Sequence, residues 1–262
     1  MSYETFELTV EDGLARLNLN QPDLGNPFNE TACREFVDVA SDLGARKHVR
    51  AVLLSGRGRF FSVGGDLSMF SDDPDAIAET VLRQTAQLHM GMARLMRLDA
   101  PIVACVHGAA MGGAMSVVAN CDLVYAGRSA KIGAAYAHIG FTCDLGATFG
   151  LASRMGIARA RRFLLLGETL GAEAAQRTGL VDEIFDDEDV VAQAEQMALK
   201  LSRGPTRAYG AVRRLMARSL ATPFESQLED EAQALAHVAA LHDAREGIMA
   251  FTNKRKPNFT GQ

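Results

Sequence analysis

The sequence of 262 residues has no tryptophan and only four cysteines, Cys33, Cys105, Cys121 and Cys143. None of them forms a C-x-x-C pair, and all lie among apolar residues, so we predict reduced thiols rather than a disulfide framework. A nucleophilic role stays open for Cys143 alone. No spacing of histidine and cysteine is typical of a metal site, and we expect no metal.

Long hydrophobic runs and an excess of positive charge are missing as well. No apolar run approaches the ~18 residues of a membrane span, and MSYETFELTV lacks the parts of a secretory signal. The net charge of −5 argues against a nucleic-acid partner bound by bulk charge. We therefore expect a cytoplasmic protein with neither a membrane nor a nucleic acid as its partner. The 48% of hydrophobic residues is typical of a globular chain.

Several motifs of small-molecule chemistry are absent too. No G-x-G-x-x-G follows a strand and no G-x-x-x-x-G-K-[ST] occurs, which excludes the usual dinucleotide and P-loop sites. No G-x-S-x-G occurs, so the nucleophile elbow of the α/β-hydrolases is excluded.

What the sequence does contain is an alternation of strands and helices. A hairpin is predicted over residues 3–20 around Asp12-Gly13, and buried strands are predicted at 51–54, 102–106 and 123–126. Helices are predicted at about 29–46, 76–98 and 113–120. Strand–loop–helix units of this kind favour parallel sheets with helices outside.

Beyond residue 190 the strand signals end. The pattern predicts helices at about 189–202, 206–220, 223–242 and 244–252. We therefore divide the chain into a core of residues 1–190 and a helical region of residues 191–262.

Two loops of small residues are candidates for a binding site, at 61–66 and 107–114. Each follows a buried strand and opens a helix, and glycine lets a backbone N–H group approach a ligand closely. Two such groups aimed at one point would form an oxyanion hole. Tight packing of strand on helix explains the same spacing equally well.

Taken together, a series of short motifs resembles the enoyl-CoA hydratase/isomerase (crotonase) superfamily over essentially the whole chain. The motifs are Asn20-Gln21-Pro22 with Asn26, 58–67, 101–104, 108–113, 121–124, Ala174-Ala175 with 179–181, and the tail from Glu246 to Phe259. The resemblance implies an α/β fold of the ClpP/crotonase type, a spiral of ββα units with a helical C-terminal trimerisation region. It also implies an acyl-CoA thioester substrate, no cofactor besides the coenzyme A of that substrate, and a homotrimer or homohexamer.

The resemblance further implies the residues of the site. The two oxyanion donors fall on the N–H groups of Gly65 and Gly113. Substrate contacts fall on Ser62, Val63, Gly64, Asp66, Leu67, Met111 and Gly112. In the tail, Phe251 and Lys254 would reach the coenzyme A of a neighbouring subunit.

The sequence departs from the superfamily where hydratases carry two glutamates. These positions hold Ser116 and Tyr136, and hydration needs one group to accept a proton and another to donate one. A carboxylate remains at Asp144, in a segment that resembles the isomerase branch, including the epoxyphenylacetyl-CoA isomerases. The resemblance predicts an isomerase in which Asp144 moves the proton. The alternative is that Asp144 caps a helix beginning at Leu145.

Other interpretations stay open. His89 and Tyr136 lie where aryl-CoA dehalogenases of the superfamily carry site residues, but His89 is equally a packed histidine and Tyr136 a pocket wall. Met69, Met92, Met111 and Met115 either fill the core or line an acyl pocket. Arg213 and Arg214 are interpreted as a solvated helix face or subunit contact, and 71–76 as a solvated loop. Hydration, thioester hydrolysis, dehalogenation and non-catalytic acyl-CoA binding are the alternative functions.

Overall fold

A computed structural model describes residues 2–70 and 74–262 of the chain. Residues 71–73, in the predicted solvated loop, lie outside the described residues. A sheet of six strands runs in the spatial order β1-β2-β3-β4-β6-β9. Its strands are β1 (Phe6–Glu11), β2 (Leu14–Leu19), β3 (Ala51–Gly56), β4 (Ile102–Val106), β6 (Leu123–Gly127) and β9 (Glu183–Phe185).

The first two strands form the predicted hairpin. They pair antiparallel, and the turn residues Asp12 and Gly13 both have positive φ, as the mirror-image hairpin turn requires. Every other pair in this sheet is parallel, which confirms the expectation from the alternating pattern.

A second, smaller sheet consists of β5 (Ala109–Met111), β7 (Lys131–Gly133) and β8 (Thr169–Gly171). Strands β5 and β7 are parallel, and β7 and β8 are antiparallel. The sequence did not indicate these strands, because three residues are too few to show a periodicity.

The helices surround the two sheets. They are α1 (Glu30–Ala45), α2 (Ile77–Met96), α3 (Gly113–Ala119), α4 (Ala147–Met155), α5 (Ile157–Leu165), α6 (Ala172–Arg177), α7 (Val190–Ser202), α8 (Thr206–Ser219), α9 (Phe224–Ala239) and α10 (His242–Thr252). All seven predicted helices are present with ends close to those expected. The sequence did not indicate helices α4, α5 and α6, which have nine, nine and six residues.

The same structural unit recurs along the chain. Each contributes a strand to the large sheet, an extended piece to a second layer, and then a helix. Two isolated parallel bridges, Phe28 with Gly65 and Ser62 with Ala110, show that the second layer begins before β5. The successive units are therefore β2 to α1, β3 to α2, β4 to α3 and β6 to α4, in agreement with the expected spiral.

Both faces of the central strands β3 and β4 are buried. In β3, Val52 and Leu54 belong to the main core between sheet and helices, while Ala51 and Leu53 pack with Val190 and other apolar residues of α7. This two-sided cover explains why the strands read as continuous apolar runs. Helix α7, which begins at the predicted domain boundary, thus packs on the sheet; the division into two regions itself stays a prediction.

The interpretation of Arg213 as part of a solvated face is wrong. Its side chain is buried and donates to the Asp122 carboxylate at 2.8 Å and to the backbone oxygens of Leu95 and Leu98. Helix periodicity could not show this, because the partners lie about 90 and 115 residues away along the chain. The neighbouring Arg214 is half exposed and pairs with Asp99.

The last helices carry much exposed apolar surface. Helix α9 has no buried residue, and Phe224, Leu235 and Phe251 are 75%, 72% and 88% exposed. Within the described residues, none of these helices is both long and apolar enough to cross a lipid bilayer.

Candidate active site

Pairing between the two glycine-containing loops brings Gly65 and Gly113 together. The N–H of Ser62 donates to the Ala109 oxygen at 2.9 Å, and the N–H of Met111 donates to the Ser62 oxygen at 3.1 Å. Ser62 therefore lies beside Ala110, and each glycine follows its member of this pair by three residues. Parallel pairing keeps register, so the sequence spacing becomes proximity in space.

Hydrogen bonds with Asn26 hold the loop that leads to Gly65. The Asn26 side-chain amide donates to the backbone oxygens of Arg57, Phe60 and Phe61 at 2.9–3.1 Å. The Ser62 hydroxyl donates to the Asn26 oxygen at 2.7 Å. These bonds fix the backbone that leads to Gly65.

The neighbours of Gly65 use their own hydrogen-bonding groups within the fold. The Gly64 N–H donates to the Ser62 hydroxyl at 3.1 Å, and the Asp66 N–H donates to the Phe28 oxygen at 3.3 Å. Among the residues that the structure describes, nothing accepts a hydrogen bond from the N–H of Gly65 or of Gly113. Both glycines line one cavity, and an oxyanion hole needs two free donors of this kind aimed at a single point.

Gly64 is required by the geometry of this contact. Its φ is +93°, and a Cβ atom added there would lie 2.5 Å from the Met111 oxygen. Any side chain would both strain the backbone and push the two loops apart.

A cavity of about 490 Å³ opens beside the two glycines. Its apolar wall consists of Phe28, Val63, Leu67, Met69, Phe70, Val81, Leu88, Ile139, Phe141 and Leu145. Phe70 and Phe141 meet edge to face with ring centres 5.6 Å apart, which joins the segment after the first loop to the segment before Asp144. Such a lining suits an apolar acyl group.

Asp144 is the one carboxylate among the described residues that line this cavity. Its Oδ1 accepts a hydrogen bond from the Tyr136 hydroxyl at 2.6 Å, and the Tyr136 oxygen is 2.8 Å from Ser116 Oγ. A Cβ atom added to Gly113 would lie 3.7 Å from Oδ1, so the carboxyl group is a close neighbour of the second free N–H.

The surroundings of Asp144 alter its acidity. Burial raises the pKa of the carboxyl above its ordinary value, and the hydrogen bond from Tyr136 acts in the opposite direction. Burial and the nearby Asp144 also raise the pKa of Tyr136, so its hydroxyl serves as a donor rather than as a base.

His89 projects from α2 onto the same site. Its Nε2 accepts a hydrogen bond from the N–H of Leu145 at 3.1 Å, which requires a ring that is unprotonated at that nitrogen. The side chain of His89 is exposed, so its interpretation as a packed histidine is wrong. Its contact holds the residue that follows Asp144.

The alternative of a helix cap at Asp144 is wrong. Helix α4 begins at Ala147 rather than at Leu145, its N-cap residue is Gly146, and no side chain caps it. The Asp144 side chain points instead to Tyr136.

Only some of the other predicted binding residues line the cavity. Val63, Leu67 and Gly112 line the cavity with the groups already described. Ser62, Gly64, Asp66 and Met111 do not line it: Ser62 and Gly64 hold the loop, and Asp66 accepts from the N–H and hydroxyl of Ser68. Phe251 and Lys254 are exposed at the end of α10. Their assignment to substrate binding stays a prediction.

Some of the methionines and cysteines line the cavity and others are buried in the core. Met69 lines the cavity, whereas Met92 and Met115 belong to the core. The four thiols are free, and Cys33, Cys105 and Cys121 are buried. Cys143 lines the cavity, but burial raises the pKa of its thiol, which disfavours a nucleophilic thiolate. Among the described residues no cluster of three or more metal-ligating side chains occurs.

Sequence reasoning missed some contributors to the site. Phe28 lines the cavity, and its backbone is hydrogen-bonded to Gly64 and Asp66 on either side of Gly65. The sequence around Phe28 carries no motif that indicates this. The sequence indicates Ser116 only as a position where hydratases carry a glutamate. A signal existed, because two positions expected to hold carboxylates both hold hydroxyl groups.

Residues 9–262 match the family model described as enoyl-CoA hydratase/isomerase. A protein of Rhodobacter capsulatus named "Probable enoyl-CoA hydratase" is 35% identical over the full length of both chains. The 1,2-epoxyphenylacetyl-CoA isomerase of Escherichia coli is 33% identical over 97% of each chain. The crystal structure of an enoyl-CoA hydratase of Mycobacterium smegmatis superposes with a TM-score of 0.90 at 28% identity, over 98% of this chain and 99% of the other.

Proposed function

Because the chain belongs to the enoyl-CoA hydratase/isomerase family, whose members act on acyl-CoA thioesters, we propose that it isomerises an unsaturated or ring-derived acyl-CoA. The observation that carries this proposal is the single carboxylate, Asp144, among the described cavity-lining residues. An isomerase can take a proton from one carbon and return it to another with one such group, whereas hydration uses two.

The proposed reaction begins with the thioester oxygen between the N–H groups of Gly65 and Gly113. Asp144 takes a proton from a carbon next to the thioester, the C–H bond breaks, and its electron pair moves toward the thioester oxygen as an enolate. The two N–H groups stabilise that negative charge. Asp144 then returns the proton to a different carbon, which shifts the double bond and leaves Asp144 ionised again.

The first test replaces Asp144 by Asn. We expect Asp144→Asn to lower turnover by about 10²–10⁴-fold, the usual contribution of a general acid–base group. The substrate probe is trans-3-decenoyl-CoA, and conversion to the conjugated 2-enoyl thioester is followed by absorbance. Binding of decanoyl-CoA, measured by its effect on the unfolding temperature, is expected to survive.

A matched control is Cys143→Ser, which changes the adjacent residue on the same cavity wall. We expect turnover close to that of the unchanged protein. Unchanged turnover in Asp144→Asn would remove Asp144 from the mechanism, and loss of turnover in Cys143→Ser would instead favour a nucleophilic thiol.

Hydration is the second candidate, since one relative in the comparison is named as a hydratase. Ser116 and Tyr136 stand where hydratases resembling this chain carry glutamates, so we expect slow hydration of crotonyl-CoA. Fast hydration would overturn the argument from the absent carboxylates. If no acyl-CoA of a broad panel is converted but several raise the unfolding temperature, the protein is a non-catalytic acyl-CoA binder.

A further inference from the structure

Three polar side chains form a continuous hydrogen-bonded chain at the candidate site. Ser116 Oγ lies 2.8 Å from the Tyr136 oxygen, and the Tyr136 hydroxyl donates to Asp144 Oδ1 at 2.6 Å. Ser116 is fully buried on α3, Tyr136 lies on the turn after β7, and Asp144 precedes α4. The chain of hydrogen bonds therefore links three separate elements and ends on one carboxyl oxygen.

The donor at each link follows from the chemistry of the groups. An ionised carboxylate can only accept, so the single proton of the Tyr136 hydroxyl is directed to Asp144. The Tyr136 oxygen then accepts, and Ser116 is its donor. The other contact of the Ser116 hydroxyl, to the Gly112 oxygen at 3.3 Å, is longer and leaves this proton available for Tyr136.

The two oxygens of Asp144 are not equivalent. Oδ1 is occupied by Tyr136, whereas no other residue in the described ranges 2–70 and 74–262 donates to Oδ2; besides Tyr136, the carboxyl group accepts from the backbone of Asp144 itself. If a proton is added to Oδ2, Oδ1 becomes the carbonyl oxygen of a carboxylic acid and still accepts from Tyr136. The hydrogen-bonded chain therefore has the same direction in both protonation states.

We propose that Tyr136, held by Ser116, is a positioning residue that binds Oδ1 of Asp144 in both protonation states and makes Oδ2 the oxygen that takes up and returns the proton. This inference rests on the proposed function of Asp144 as the proton carrier. It assigns Ser116 and Tyr136, at the two positions without the expected carboxylates, a shared role in place of acid–base chemistry.

The physical benefit is orientation. The terminal torsion of an aspartate is broad, so a carboxyl group without a fixed partner samples many angles. Because proton transfer needs an aligned base, a fixed Oδ1 keeps Oδ2 in the geometry that transfer requires before the substrate arrives. The bond also stabilises the ionised form and so limits the rise in pKa that burial produces.

Few other titratable groups face Asp144 from the packed elements. They are His89 from α2, Cys33 from α1, and Cys143 from its own loop. Burial and Asp144 raise the pKa of Cys33 to about 12, and burial raises that of Cys143, so both thiols are neutral near pH 7. His89→Gln should be titrated in parallel to separate the contribution of the histidine.

The experiment compares Tyr136→Phe, Ser116→Ala and the double variant. The pKa of Asp144 is measured by carbon NMR of the labelled carboxyl group without ligand, and kinetics use trans-3-decenoyl-CoA. We expect Tyr136→Phe to raise the Asp144 pKa and to lower kcat about 10–100-fold with little change in KM, as for a lost hydrogen bond to a charged group. Ser116→Ala should act in the same direction but less strongly, and should add nothing in the Tyr136→Phe background.

Tyr125→Phe, which removes a hydroxyl from a buried tyrosine of β6, serves as the control and should leave both readouts unchanged. A Tyr136→Phe protein with the original Asp144 pKa and kcat overturns the inference, as do additive effects in the double variant. If Tyr136→Phe does not fold, Ser116→Ala alone decides by the same two readouts. Wild-type turnover in Asp144→Asn would contradict the proposed function itself, whereas an inactive Asp144→Asn with an unchanged Tyr136→Phe contradicts only this inference.

Discussion

At the scale of single residues, the proposed reaction depends on the environment of one carboxyl group. Asp144 is half-buried against apolar walls, and burial raises its pKa toward the range in which a base works efficiently. The same burial costs folding stability, because an ionised carboxylate loses hydration there. A functional group of this kind is therefore expected to oppose stability.

This conflict predicts a stability effect of the Asp144→Asn variant. The pKa of Asp144 is higher in the folded chain than in the unfolded one, so its ionisation destabilises the fold above the unfolded pKa of about 3.9. We expect Asp144→Asn to unfold at a higher urea concentration at pH 7, and the difference to disappear as the pH falls below about 4. Urea titrations across this pH range measure it.

Asp187 provides a control of opposite sign. The backbone and hydroxyl of Ser129 lower its pKa, so Asp187→Asn should lose stability at pH 7 and approach the unchanged protein in acid. An Asp144→Asn protein that is less stable at pH 7 would show that the carboxylate contributes to the fold rather than opposing it.

At the scale of elements, positions that define the site are set by backbone pairing and by a few long-range ties. The parallel contact of the two glycine-containing loops depends on the register of β3 against β4. Arg213 ties helix α8 to the start of β6, because it binds Asp122 and the backbone oxygens of Leu95 and Leu98 at the end of α2 and just beyond it. Asp122 in turn accepts from the N–H of Ile102 at 2.7 Å, at the start of β4.

We predict that Arg213→Ala lowers the free energy of unfolding by about 3–5 kcal/mol, because it leaves Asp122 and two carbonyls without their buried partner. Arg214→Ala is the matched control on the next residue of α8. Its pair with Asp99 is half exposed on the arginine side, so we expect a loss of at most about 1 kcal/mol. Urea unfolding of both variants tests this, and equal losses would show that burial does not distinguish the two arginines.

At the scale of the whole molecule, the last helices present a surface that a single chain leaves uncovered. Phe224, Leu228 and Leu235 lie at i, i+4 and i+11 on α9, so they form one apolar stripe, and the outer two are more than 70% exposed. Contiguous apolar stripes of this kind mark contacts with other chains. The expected homotrimer or homohexamer stays a prediction and would account for this stripe.

We predict that the protein sediments as a trimer or hexamer and that Phe224→Asp with Leu235→Asp shifts it to smaller species at micromolar concentration. Charges placed on a buried apolar interface are costly to desolvate. Ser226→Asp, on the polar side of the same helix, should leave the sedimentation unchanged. A wild-type protein that stays monomeric at all concentrations would contradict the prediction.

Much of the fold could be predicted from local patterns. The hairpin, the buried strands and seven helices follow from alternation, apolar runs and helical spacing, which act over a few residues. The small sheet could not be, because its strands of three residues are too short to show such a pattern, and the sequence did not indicate helices α4 to α6 either. The resemblance identifies Gly65, Gly113 and Asp144 as candidates. It indicates neither the contact between Ser116 and Tyr136 nor the contact between Leu145 and His89.

The sequence by itself determined the class of fold and the family and supplied the candidate residues of the site, since these depend on composition, short motifs and their order. Only the tertiary structure decided which of them meet. Tyr136 and Ser116 are 20 residues apart, and Leu145 and His89 are 56 apart, yet both pairs are hydrogen-bonded. Such contacts arise from the packing of successive units in the spiral, a property of the whole core that no local stretch of residues encodes.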